Sequence, residues 1–209
     1  NRLVSYVARK LIAGSEHPYR LLQMGTKENV SNFGRQELVD YHHSLMNTDR
    51  MLLVVVGDVA AEDVIAKTRE TIARLPSESW EAPKLSGYEV AEAKIDGKAK
   101  KIPTNYILGL FPAPGPESED YHAMKIALAY LSDRLFEEVR TKRNLSYAVA
   151  SGLSSRRANT GYLYVSAKKP NETLGVMFDE VKKLQNQTLD AKELQRTRNV
   201  FLTEHYKDL

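Results

Sequence analysis

Arg140 and Tyr147 stand seven residues apart in "LFEEVRTKRNLSYAVASG", residues 135–152. A guanidinium carries five N–H donors in a planar fork and a phenol carries one O–H donor. The stretch reads as the end of an amphipathic helix, a basic turn and the start of a strand. Phe136 and Val139 fall on the apolar stripe of that helix, with Arg140 on its edge and Glu137, Glu138, Thr141 and Lys142 on the solvent side. Glu138 and Lys142 can pair one turn apart for about 0.3 kcal/mol. Lys142 and Arg143 suit a helix C-terminus, and Asn144 can take the left-handed conformation that ends it. The chain then reverses just before Tyr147, so a cationic fork and a phenolic donor emerge together at a sheet end. An arginine and a tyrosine at this spacing also occur by chance in purely structural roles.

Other familiar chemistry is missing from the pattern. A helical zinc motif sets two histidines one turn apart around a glutamate, and none of the five histidines does this. His42 and His43 are adjacent and diverge on their helix, with His42 on the apolar face as a core or boundary residue. His17, His122 and His205 are isolated and read as surface. No metal site is expected from these residues. Ser146 and Ser151 lack the glycine framing of a nucleophile elbow, and no phosphate loop occurs.

A chain of 209 residues suffices to bury roughly 70% of its unfolded surface, as one large or two small domains. It has no cysteine, which excludes disulfides and thiolate–metal sites but leaves cytoplasm and bacterial periplasm both open. The 30 basic and 27 acidic residues are interspersed, the pattern of a solvated surface, which argues against nucleic acid as a partner. No apolar run approaches the ~20 residues of a membrane span. The opening at Asn1, an amphipathic stretch without initiator Met or leader, reads as a segment excised from something longer.

Apolar residues at helical spacing predict a helix from Leu3 to Leu11 stopped by Gly14, an irregular segment to Gly34, and a helix carrying Leu38, Tyr41, His42, Leu45 and Met46. "MLLVVVGD", residues 51–58, reads as a strand covered on both faces. A helix through Val64, Ile65, Thr68, Ile72 and Leu75 follows, closed by Pro76. Residues 76–103, rich in Pro, Gly and charge, mark a boundary, with an edge strand at about 89–102. Beyond it come a strand in "NYILGLFPAPG", a helix capped by Ser118, a second helix through Leu135 and Val139, and a hairpin of strands 145–151 and 161–168. A helix capped by Asn171 and a last helix from Thr188 complete the order, which argues for an α+β fold with helices on a mainly antiparallel sheet.

"RLFEEVRTKRNLSYAV" resembles the second-domain signature of the pitrilysin/insulinase family of zinc metallopeptidases, which includes mitochondrial processing peptidase. "HPYRLLQMGTKENVSNF" and "ELVDYHHSLMNTDRMLLVVVGDV" are similar to the second half of that family's first domain, in the expected order. The resemblance implies a clamp-domain fold divided into residues 1–82, the C-terminal half of a first clamp domain, a linker or edge strand at 83–103, and residues 104–209, the N-terminal part of a second. It implies that Arg140 holds a substrate carbonyl and that Tyr147 donates to the oxyanion formed when metal-activated water attacks a peptide bond. It further implies zinc in the complete enzyme, none held by this segment, with the metal on an absent upstream domain or a partner subunit in a homo- or heterodimer. The substrate would be a peptide recognised by backbone contacts and strand addition. Lys142, Arg143, Arg156 and Arg157 either favour acidic peptides or simply face solvent. A scaffold subunit on the same fold, as in respiratory-complex core subunits, is the alternative. Since clamp domains share a fold, residues 52–56 are expected to pair with the strands at 104–112, 145–151 and 161–168 in a single layer, within one chain or by exchange.

Overall fold

The computed structural model describes residues 2–207, apart from the side chains of Glu204 and His205, so the surface reading of His205 lies outside the described residues. In chain order the elements are α1 (Arg2–Ile12), α2 (Lys27–Asn32), α3 (Arg35–Leu45), α4 (Ala61–Glu70), β1 (Asn105–Pro112) and α5 (Tyr121–Leu135). A π-helical turn (Phe136–Thr141), β2 (Ser146–Leu153), β3 (Thr160–Ala167), α6 (Pro170–Asn186) and α7 (Ala191–Lys207) follow. The chain divides into two compact units, residues 22–84 and residues 1–21 with 85–209.

The larger unit contains a three-stranded antiparallel sheet in the order β1-β3-β2, an α+β arrangement as expected. The apolar faces of α5 and α6 close over it. Leu128, Leu131, Leu135 and Val139 meet Val149 of β2, Val165 and Ala167 of β3 and Met177 of α6 in one cluster. Each leucine, valine and methionine of the cluster contributes about 1.5–3 kcal/mol on burial. The hairpin and β1 follow the sequence reading closely. Gly161 of β3 is needed for packing, because a Cβ there would run into the Phe111 ring. Pro170 occupies the first turn of α6 after Lys169, where its missing N–H costs nothing, so Asn171 lies inside the helix and is not its cap. The last helix starts at Ala191, three residues after Thr188. His17 is half-buried, with Nδ1 accepting the Tyr19 N–H at 3.1 Å and the ring stacked 4.8 Å from Tyr88, so it is not a plain surface residue.

In the unit 22–84, Thr26 caps α2 by accepting the Asn29 N–H at 3.1 Å, giving a short helix where the sequence suggested irregular chain. The α3 N-terminus lacks a side-chain cap, and the Gly34 N–H donates to the Glu37 carboxylate at 2.8 Å. Asn47 bonds both backbone groups of Glu78, at 2.7 and 3.0 Å, which ties residues 47–50 to 76–80. His42 is exposed, against the core or boundary role expected of it.

Three expected strand features are absent from the described residues. Residues 51–58 form no strand, and Leu52 and Val56 are 88% and 93% exposed. Residues 89–102 form none either. Residues 52–56 take no strand conformation, against the expectation that they complete a layer within this chain. An apolar, β-branched run supplies propensity, but a strand exists only where a partner completes its ladder.

Candidate functional site

The site lies where α5 runs out and β2 begins, at the edge of the sheet. No separate second helix forms. The chain continues from Leu135 into a π turn, with the Lys142 N–H reaching back five residues to the Glu137 carbonyl at 2.9 Å. The extra residue in the turn changes which side chains face inward. Leu135 and Val139 are fully buried, but Phe136, expected in the core, is 46% exposed. Glu138, expected in solvent, is 6% exposed. Asn144, the only described non-glycine residue with positive φ, at 50°, ends the turn. Its N–H bonds the Arg140 carbonyl at 3.0 Å, and the Leu145 N–H bonds the Val139 carbonyl at 2.9 Å.

A second irregularity follows at once. In the β2–β3 pair Ser146 lies opposite Ala167 and Ala148 opposite Ser166, so Tyr147 is an extra residue with no opposite number, a β-bulge. By two-residue alternation Tyr147 shares the parity of Val149 and Ser151, both buried, and the Ser151 hydroxyl donates to the Leu128 carbonyl of α5 at 2.7 Å. The bulge releases Tyr147 from that parity, and its side chain is 80% exposed.

The two irregularities bring Arg140 and Tyr147 together. The Arg140 guanidinium carbon lies 4.3 Å from the centre of the Tyr147 ring and 4.8 Å from that of Phe136, a cation held against two aromatic faces. Among the described residues the Arg140 guanidinium makes no hydrogen bond or ion pair, and the Tyr147 hydroxyl makes no hydrogen bond. Ring contact thus fixes the guanidinium while leaving its N–H groups, and the phenol beside them, available to acceptors from outside.

Behind the pair lies an ion network of which sequence reasoning found only the Glu138–Lys142 pair. The Glu138 carboxylate is met by Lys142 at 2.7 Å, Arg143 at 2.5 Å and Arg134 at 3.4 Å. Arg134 also bonds Glu180 of α6 at 3.1 Å, and Glu180 takes Lys183 at 2.6 Å. Hydrogen bonds from Lys142 and Arg143 outweigh the effect of burial and hold the Glu138 pKa down to about 2. Lys142 and Arg143 are therefore committed to Glu138, while Arg156 sits 5.4 Å over the Tyr19 ring. The helical spacings of Glu138 with Lys142 and Arg134, and of Glu180 with Lys183, are its sequence signals, and only the Glu138–Lys142 pair was read from them.

Among the described residues no group of three or more His, Asp or Glu side chains is gathered as a metal centre would require, so the donors present do not fit zinc. No described helix is long and apolar enough to cross a membrane.

Comparison with known proteins gives the geometry its context. An uncharacterized zinc protease of Mycobacterium leprae is 32% identical over 160 residues, 73% of this chain and 36% of that protein. The Bacillus subtilis protein named "probable inactive metalloprotease YmfF" is 23% identical over 198 residues, 88% of this chain and 45% of its own length. The chain thus spans less than half the length of these relatives. The crystal structure of a peptidase M16 inactive domain from Pseudomonas fluorescens shares the fold, with a TM-score of 0.87 at 21% identity over 96% of this chain and 50% of that one. Residues 32–201, which include the π turn, the bulge and both outward-facing donors, match the family model of the peptidase M16 inactive domain, and the chain belongs to that family.

Proposed function

We propose that this chain is the zinc-free half of a zinc metalloendopeptidase, and that Arg140 and Tyr147 engage the backbone of a bound peptide. In this reading residues 104–209 are the N-terminal part of a second clamp domain carrying the pair, residues 1–82 belong to a first, and 83–103 link them. The metal belongs to a domain or partner subunit outside this chain, in a homo- or heterodimer. The observation that carries the reading is the stacked, otherwise unpartnered guanidinium beside an exposed phenol. Arg140 would hold a substrate carbonyl, and Tyr147 would donate to the oxygen on which negative charge develops during hydrolysis. β2 lies at the edge of its sheet, which supports an extended peptide lying alongside.

The test uses the full-length protein with its zinc-bearing domain or partner. Tyr147→Phe keeps the ring over Arg140 and removes only the hydroxyl. Peptide turnover should fall on the order of 10²–10³-fold, about 3 kcal/mol, the cost of one oxyanion donor. Unchanged turnover would remove the role assigned to Tyr147. The likeness to a protein named an inactive metalloprotease supports a second reading, a scaffold subunit without turnover. An assembly that binds peptide yet never cleaves it, with wild-type Tyr147 in place, would select that reading.

A further inference from the structure

We propose that the Ser146 hydroxyl is the positioning device that turns Tyr147 outward. Ser146 is buried, 5% exposed, at the foot of β2. Its Oγ accepts the Ala148 N–H at 3.1 Å and stands 2.6 Å from the Ser166 carbonyl and 2.9 Å from the Ala148 carbonyl. One hydroxyl proton serves those two acceptors, with the shorter contact to Ser166. Ser166 is the residue opposite Ala148 across the ladder. The hydroxyl therefore occupies the place of a ladder hydrogen bond, running from the Ala148 N–H through Oγ to the carbonyl of the neighbouring strand.

A bulge leaves backbone groups without partners, and a strand escapes that cost either by slipping into regular register or by finding a side chain to satisfy them. Regular register would return Tyr147 to the parity of Val149, under α5 and away from Arg140. Ser146 supplies the second solution. It has the only short hydroxyl within two residues of the bulge on β2, and a residue without that oxygen would leave the part-buried Ala148 N–H and Ser166 C=O without this partner. Ser146 touches no substrate in this scheme and acts through Tyr147, so it is a positioning residue. Its catalytic consequence rests on the peptidase reading, whereas its effect on the bulge does not.

The experiment compares Ser146→Ala, Ser146→Thr and Tyr147→Phe in the full-length protein with its zinc-bearing domain or partner. Hydrogen exchange of the segment 145–150 is measured by mass spectrometry alongside kcat and KM for a peptide. Ser146→Ala should speed exchange in that segment and lower kcat on the order of 10–100-fold, the scale of a misplacement of about 1 Å, with KM little changed. Ser146→Thr keeps the hydroxyl and should restore slow exchange and most of kcat. Unaltered exchange in Ser146→Ala overturns the inference, as does a threonine variant no better than alanine. Faster exchange with unchanged kcat, while Tyr147→Phe loses activity, overturns the positioning role specifically. Normal turnover by Tyr147→Phe removes the role assigned to Tyr147 and with it the catalytic consequence of Ser146, and exchange in Ser146→Ala then decides whether the hydroxyl shapes the bulge.

Discussion

Replacing Glu138 by glutamine tests whether the turn that carries Arg140 is held from within. The side chain is 9% exposed and takes close contacts from Lys142 and Arg143, with Arg134 further off. Its pKa lies near 2 in the folded protein against an ordinary 4.5. A folded-state pKa below the unfolded value means that the stabilisation is complete above about 4.5 and drains away as pH falls through about 2. A depression of that size corresponds to about 3 kcal/mol. Lys142 and Arg143 are 52% and 44% exposed, so water screens them and a figure of about 1–2 kcal/mol is reasonable. With a urea slope of about 2 kcal/mol per molar, the midpoint of E138Q should lie about 0.5–1 M below wild type at pH 7. Far-UV circular dichroism is the suitable probe, because the single tryptophan, Trp80, belongs to the 22–84 unit and not to the unit that holds the network. The difference between the two proteins should narrow steadily from pH 4.5 to pH 2. Equal midpoints at pH 7, or a gap indifferent to acid, would show that the carboxylate contributes nothing of this kind.

Two further substitutions test the packing around the site. Phe136→Ala removes one of the two rings against Arg140 and should cost about 0.5–1 kcal/mol of stability, because the ring is half exposed, while lowering kcat/KM several-fold. A variant as active as wild type would mean that Tyr147 alone suffices to hold the guanidinium. Gly161→Ala would push a methyl group into the Phe111 ring and should destabilise by about 1–3 kcal/mol, read as a lower thermal midpoint. An unchanged midpoint would show that the ring moves aside freely.

The sheet and its helices were legible wherever local pattern and tertiary partner agree. β1, the hairpin and α6 alternate or repeat as their packing requires, whereas Leu128 and Leu131 of α5, which carry much of the core cluster, were not singled out in the sequence. "MLLVVVGD" was misread because an apolar run specifies what a strand wants but not whether one is beside it. The fate of Phe136 and Glu138 could not be read from a 3.6-residue period, since one added residue in the turn is worth about 100° of rotation, more than a quadrant. The positions of Arg140 and Tyr147 were readable, but the cause of their meeting was not. Both departures from regularity are registered only in hydrogen bonds, the Lys142 N–H to Glu137 and the Ser146 hydroxyl across the ladder.

The bulge also bears on how this corner tolerates change in length. Deleting Tyr147 would make Ser146 and Ala148 consecutive rungs opposite Ala167 and Ser166, a more regular sheet than the present one. Losing the outward phenol is therefore downhill for the scaffold, and a lineage freed from the need for that side chain could shed it without endangering the fold. The irregularity marks the spot where shape has been kept at the expense of robustness.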